Sequence, residues 1–240
     1  MEFNFPAIGI AHTCFTDTFG VPRQPGLAPH AYATIELLPP YNDPAAIEGL
    51  ELSSHLWLQF VFHLNKRQTW KAKVKPPRLG GNKTLGVFAT RSPTRPAPIG
   101  LSVVKLEEII CTGSSVQIRV SGVDLVDGTP ILDIKPYVPY VDKVEDATNH
   151  FADAPPPHIN VEFSPAAQAH LQAQPQEPHL AALITEVLQQ DPRPQYQALD
   201  TQRRYGMKLA QWDIQWHYDL RDNRPLIWVD GIVPLLTSPQ

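Results

Sequence analysis

Three segments of the chain carry residue types that could do chemistry. In DLVDGTPILDIKPY (124–137), Asp124, Asp127 and Asp133 alternate with Leu, Val and Ile, and Lys135 and Tyr137 share a strand face with Asp133. A carboxylate, an amine and a phenol in line suit acid–base work or cation binding. In VFATRSPTRPAPIGLS (87–102), a strand-like run ends in arginines, and Pro93, Pro96 and Pro98 stiffen the loop before Gly100. Prolines lower the entropy of the free loop and so preorganise Arg91, Ser92 and Arg95. In VPRQPG (21–26), two prolines fix the backbone around Arg23 and Gln24, and Gly26 permits a tight turn. Such a loop can present backbone groups and one cation to a ligand. The plainer alternatives are an ordinary proline turn and an edge strand with polar residues.

Charge adds a fourth signal. The net charge is −4, yet no Asp or Glu occurs between Leu52 and Leu106, where 10 of the 20 basic residues lie. A local field of that kind attracts phosphates whatever the total charge. Lys66, Arg67, Lys71, Lys73, Lys75 and Arg78 cluster in the loop 65–83, and Arg95 follows. The competing reading is a lysine-rich loop kept soluble by its charges.

The elements that must position these groups read mostly as strands. Proline, 26 of 240 residues, is about twice its usual share of ~5% and argues against a helical bundle. PAIGIAHT (6–13), HAYATIELL (30–38), HLWLQFVFHL (55–64), LGVFAT (85–90), GLSVVKLEEII (100–110), SSVQIRVSGVDLV (114–126) and TPILDIKPYVPYV (129–141) are strand-like. In 55–64, alternation sets Leu56, Leu58, Phe60, Phe62 and Leu64 on a core face. AAIEGLEL (45–52) reads as one or two helical turns. The fold expected is mainly β: a single antiparallel-rich β-barrel with a small C-terminal α+β domain. The boundaries are 1–150 for the barrel, 151–159 for a proline-rich linker and 160–240 for the small domain. In the latter, Ser164 caps a helix with Pro165 at its first position, and 178–192 is amphipathic. Residues 207–235 form a hairpin around Arg221–Arg224.

Several function classes find no support. Cys14 and Cys111 have no crosslink or metal spacing. RLGGNKTLG (78–86) has Asn82 between Gly81 and Lys83, which spoils a phosphate-binding loop, and no G-x-G-x-x-G follows a strand. No G-x-S-x-G is present for a serine hydrolase. No signal peptide or membrane span is evident, so a cytoplasmic protein is expected.

PRQPG, LGG followed by GVFATRSPTRPAPIGLS, and DLVDGTPILDIKPY together resemble the bacterial tRNA adenosine-N6 methyltransferases that act on threonylcarbamoyladenosine beside the anticodon. The similarity runs through about 1–145, and DPRPQY (191–196) carries it into the C-terminal part. The resemblance implies a β-barrel enzyme using S-adenosylmethionine, a homodimer, and tRNA for threonine as substrate, methylated at position 37. It implies that Arg23, Gln24, Pro25, His63, Leu64, Arg91, Leu101, Val123, Asp124 and Leu125 surround the cofactor. Asp133 or Tyr137 is then the candidate base and Lys135 the stabiliser of carbamoyl charge. The basic loop and Arg95 would hold the anticodon stem-loop. One departure is Ala97, where the family pattern has Asn; any orienting role of that amide passes to other groups here. Two other classes fit the residues: a non-catalytic RNA-binding barrel, and a methyltransferase acting on a small molecule.

Overall fold

In the computed structural model, the described residues are 2–65, 69–76, 84–150, 152, 154–193 and 197–235. The chain runs β1 (Gly9–Thr13), β2 (Tyr32–Leu37), β3 (His55–Val61), β4 (Lys73–Val74), β5 (Leu85–Gly86), β6 (Ile99–Thr112), β7 (Ser115–Ser121) and β8 (Thr129–Pro136). After a single helical turn α1 (Pro139–Asp142) come β9 (Asn160–Phe163), α2 (Pro165–Gln172), α3 (Leu180–Leu188), β10 (Arg204–Leu209), β11 (Trp212–Arg221) and β12 (Arg224–Pro234). Six strands close an antiparallel barrel in the order β1-β2-β7-β6-β3-β8. The mainly β architecture expected from the sequence is therefore present.

Alternation explains the barrel. Leu56, Leu58 and Phe60 of β3, Val116, Ile118 and Val120 of β7, and Ala33, Ile35 and Leu37 of β2 are all buried. A small barrel is filled by its own inward side chains, so residue size must taper. Gly100 of β6 supplies that taper opposite Phe60. A Cβ at Gly100 would sit 2.2 Å from the Phe60 ring. The barrel closes through a short seam: β1 meets β8 over three residue pairs, and one member is Pro130, which has no N–H to donate.

Strand lengths depart from the sequence reading in informative places. The strand expected over 55–64 ends at Val61; His63 and Leu64 lie in a turn, and Leu64 is 46% exposed rather than in the core. The Phe62 N–H still donates to Pro98 O in register, but Pro98 has no N–H to return and the His63 N–H turns back to Val61 O, which ends the strand. The strand expected over 114–126 ends at Ser121 because Gly122 takes a left-handed φ of 74°. There it meets Gly26, also left-handed, whose N–H donates to Gly122 O at 2.8 Å. It is the left-handed φ at both positions that favours glycine. LGVFAT pairs only at Leu85–Gly86 before a 3₁₀ turn over Val87–Ala89. The ambiguous 45–52 stretch forms two 3₁₀ turns, Pro44–Ile47 and Leu50–Leu52.

The C-terminal part forms a four-stranded sheet in the order β10-β11-β12-β9, with β9 parallel to β12. The expected Ser164 cap is present: its Oγ accepts from the Ala167 N–H at 3.1 Å. The apolar stripe of α3 (Leu180, Leu183, Ile184, Val187, Leu188) is buried. The long β1–β2 connection packs on this part, with the Phe19 ring stacked on Trp216 at 6.1 Å and the Ala210 N–H donating to Cys14 O. One apolar cluster runs through both halves. Cys14 is buried at this junction, and desolvation pushes its thiol up to about 12, so it stays a neutral packing group.

A Gly100→Ala variant should force the Phe60 ring off its place. Overpacking of this kind costs about 1–3 kcal/mol. Urea unfolding would show that loss as a lower midpoint with an unchanged slope.

Candidate active site

At one end of the barrel a cleft of about 820 Å³ opens between loops that are distant in sequence. Arg23 and Gln24 enter from the β1–β2 connection, and His63 and Leu64 from the turn after β3. Arg91 and Arg95 come from the proline-stiffened loop before β6, Leu101 from β6 itself, and Asp124 and Leu125 from the β7–β8 loop. Eight of the ten residues assigned to a cofactor by resemblance thus share one cavity wall. Pro25 lies around the corner, in a second cleft, and Val123 is fully buried behind the wall.

Each loop is held by identifiable bonds. Arg91 donates through Nη1 to Gln24 Oε1, joining the two preorganised segments. Arg95 Nη1 donates to Thr90 O at 3.1 Å, so it folds back on its own loop while facing the cleft. Asn65 Nδ2 donates to Pro93 O at 2.8 Å. The β7–β8 loop is pinned by Asp127, which the sequence grouped with possible acid–base residues. Its carboxylate accepts from the Thr13 N–H at 2.9 Å, and its own N–H donates to Phe15 O. Asp127 therefore does structural work.

Asp124 is the carboxylate of the cleft. The Ser102 Oγ donates to it at 2.6 Å. Desolvation pushes its pKa up to about 6, while the Ser102 hydroxyl, a backbone N–H and the Arg91 charge pull it down. Ser102 went unremarked in the sequence, though a signal was there: it is a hydroxyl on the inward face of β6, between Gly100 and Val104, and it is buried. Trp57, Phe60 and Phe62 add apolar wall. Guanidinium, carboxylate and amide groups set among aromatic and aliphatic walls suit a ligand with an amino-acid end, a cationic centre and a flat base.

Asp133, Lys135 and Tyr137 lie outside that wall, on the outer face of the barrel. Lys135 Nζ sits 2.8 Å from Asp133 Oδ2, and both side chains are exposed. Register places Asp133 beside Gln59 and Lys135 beside Trp57. The Tyr137 ring packs against Trp57 at 5.9 Å, and Trp57 also lines the cleft. The three residues form a group on the cleft's outer rim, joined to it through one indole.

Lys71, Lys73 and Lys75 stand exposed on the arm built by β4 and β5, and form no ion pair among the described residues. Trp70 is 52% and Phe88 75% exposed on the same arm. Lys66, Arg67 and Arg78 fall outside the described residues. The second cleft, about 1100 Å³, lies between the barrel and α3. Its cations are already matched, Lys105 by Glu107 at 3.0 Å and Arg119 by Glu108 at 2.7 Å. Among the described residues no cluster of His, Cys, Asp and Glu could hold a metal.

Comparison with known proteins decides the family. Residues 10–143 match the model of the tRNA-methyltransferase O N-terminal domain, and 156–232 that of the TrmO C-terminal domain. The chain belongs to the tRNA-methyltransferase O family. The resemblance read from the motifs therefore holds. Within this family, the Escherichia coli tRNA (adenine(37)-N6)-methyltransferase is 43% identical over 218 residues, 90% of this chain and 93% of that protein. RcsF of Pseudomonas aeruginosa, named as an S-adenosylmethionine-dependent methyltransferase, is 51% identical over 224 residues, 92% of this chain and 95% of that one. The crystal structure of TrmO from P. aeruginosa superposes with a TM-score of 0.80 at 44% identity, covering 98% of both chains.

The raised pKa of Asp124 has a stability consequence. Between pH 4 and 6 the folded chain holds a proton that the unfolded chain has released, so stability falls as pH rises through that window. Asp124→Asn abolishes this loss and keeps an acceptor for Ser102. Its advantage over the parent should be near zero at pH 4 and grow to at most about 3 kcal/mol above pH 7. Urea titrations of both proteins across that range measure it; a difference independent of pH would contradict the assignment.

Proposed function

We propose that the chain methylates N6 of adenosine 37 in tRNA with S-adenosylmethionine, and that the nucleotide is threonylcarbamoyladenosine in threonine tRNA. The observation that carries the reading is the Arg91–Asp124 cleft in a chain matched over nine-tenths of its length by a named tRNA (adenine(37)-N6)-methyltransferase. The cofactor supplies an activated methyl on a sulfonium centre, so alignment of the acceptor is what the protein must add. Arg91, steadied by Gln24, offers paired donors to a carboxylate. Asp124, ionised above about pH 6, attracts cationic groups. Phe62, Leu101 and Leu125 exclude water from the wall.

On the outer rim, Asp133 or Tyr137 takes the N6 proton, and Lys135 steadies negative charge on the carbamoyl oxygen. Asp124 is a third candidate for the proton, because it is the carboxylate inside the cleft. The target base must leave its stack to reach this rim, and the arm bearing Lys71, Lys73 and Lys75 holds anticodon-stem phosphates. A homodimer accounts for the apolar surface around the mouth, where Leu64, Ile99 and Leu101 are exposed. No helix among the described residues is long and apolar enough to cross a membrane.

Two measurements test the reading. Asp133→Ala should lower methyl transfer to threonine tRNA by ~100-fold or more if Asp133 is the base; near-normal turnover would pass the role to Tyr137 or Asp124. Neutralising Lys71, Lys73 and Lys75 together should weaken tRNA binding and reduce the salt slope by about 2–3. An unchanged slope would put the RNA on another face.

A further inference from the structure

We infer that the end of α3 is a brace for the 23–30 loop, and that Glu186 and Gln190 are positioning residues for ligand binding in the Arg91–Asp124 cleft. The inference rests on the reading that this cleft takes the cofactor. It comes from a set of bonds between segments more than 150 residues apart. The Glu186 carboxylate accepts from the His30 N–H at 2.9 Å and meets His30 Nδ1 at 2.6 Å. Gln190 Nε2 donates to Leu27 O at 3.1 Å and to Glu186 O at 2.7 Å. Arg23 Nη2 reaches Asp191 O at 3.4 Å. One short stretch thus holds the loop at its start, middle and end.

The bracing side chains are themselves fixed. Gln190 is only 8% exposed, which is unusual for a glutamine unless its amide has dedicated partners. The backbone at Asp191 takes a left-handed φ of 53°. Its carboxylate is locked by Arg193 at 2.9 Å and by the Tyr218 hydroxyl at 2.7 Å. From the other side the loop is held by the barrel, through Gly26 on Gly122. The loop is therefore clamped between the barrel and the C-terminal sheet. The face it offers to the cleft carries Arg23 and Gln24, and Gln24 sets Arg91. Without the brace the loop must be ordered at the moment of binding, and that ordering is subtracted from affinity.

The test compares the full-length parent with Glu186→Ala/Gln190→Ala. Hydrogen exchange of amides 23–31 should quicken at least ~10-fold, while β3 and β7 amides keep their protection. The calorimetric dissociation constant for S-adenosylhomocysteine should rise about 5–10-fold, as expected for losing one or two buried hydrogen bonds. KM for S-adenosylmethionine should rise while kcat at saturation holds. Glu186→Gln, which keeps an acceptor for the His30 N–H, should bind S-adenosylhomocysteine within ~2-fold of the parent. If the double variant loses barrel protection, Gln190→Leu alone is read in its place, being close in size and unable to donate. Unchanged exchange would remove the brace; faster exchange with unchanged affinity would remove its role in binding. Arg91→Ala, which removes no bond to the end of α3, tests the underlying reading separately. Normal S-adenosylhomocysteine binding there would overturn the cofactor assignment, whatever the brace variants do.

Discussion

Asp124 keeps a carboxylate where the barrel end excludes much of the water, and the surrounding structure exists to make that position tolerable. Burial alone would leave it protonated over much of the neutral range. Ser102 from inside the barrel and Arg91 from the opposite loop pull it back toward ionisation. Each of those partners has its own requirement. Ser102 faces inward only because β6 alternates without a bulge through Gly100, Ser102 and Val104. Arg91 faces Asp124 only because prolines stiffen its loop and Gln24 meets it from another. A group that weakens the fold at neutral pH and is nonetheless surrounded by such support marks a functional position.

The two halves of the chain divide this labour. The barrel supplies walls and the buried carboxylate. The C-terminal sheet, through α3 and the residues after it, supplies rigidity to a loop that the barrel side also holds through Gly26–Gly122 and Gln24–Arg91. The shared apolar cluster and the Phe19–Trp216 stack make the junction part of the core rather than a hinge between independent bodies. The outer rim, with Asp133, Lys135 and Tyr137, borrows its geometry from the same β3 strand that presents Trp57 to the cleft.

Much of this was legible from residue order because barrel strands impose period two. The inward residues of β3 and the apolar stripe of α3 fell where alternation and helical spacing put them. Strand ends were less legible. The ladders stop at the left-handed Gly122, which turns its C=O to Gly26, and at Phe62, whose partner Pro98 has no N–H to return; local pattern reveals neither partner. The four-residue β9 was missed because NVEF is too short to show a period and pairs with a strand over sixty residues later. Within the site, Arg23, Gln24 and Arg91 announced themselves through the prolines around them. Glu186 and Gln190 did not, because on a helix a Glu and a Gln four apart read as solvated surface. Asp127 misled for the opposite reason: its carboxylate bonds a backbone amide more than a hundred residues away.

The barrel's closure between β1 and β8 is its shortest seam, three residue pairs long. Opening the cylinder breaks the fewest rungs along that line. That line ends at Thr129, which lines the cleft. Any molecule that fills the mouth also bridges the two sides of that line, and its binding energy adds to the stability of the whole cooperative unit.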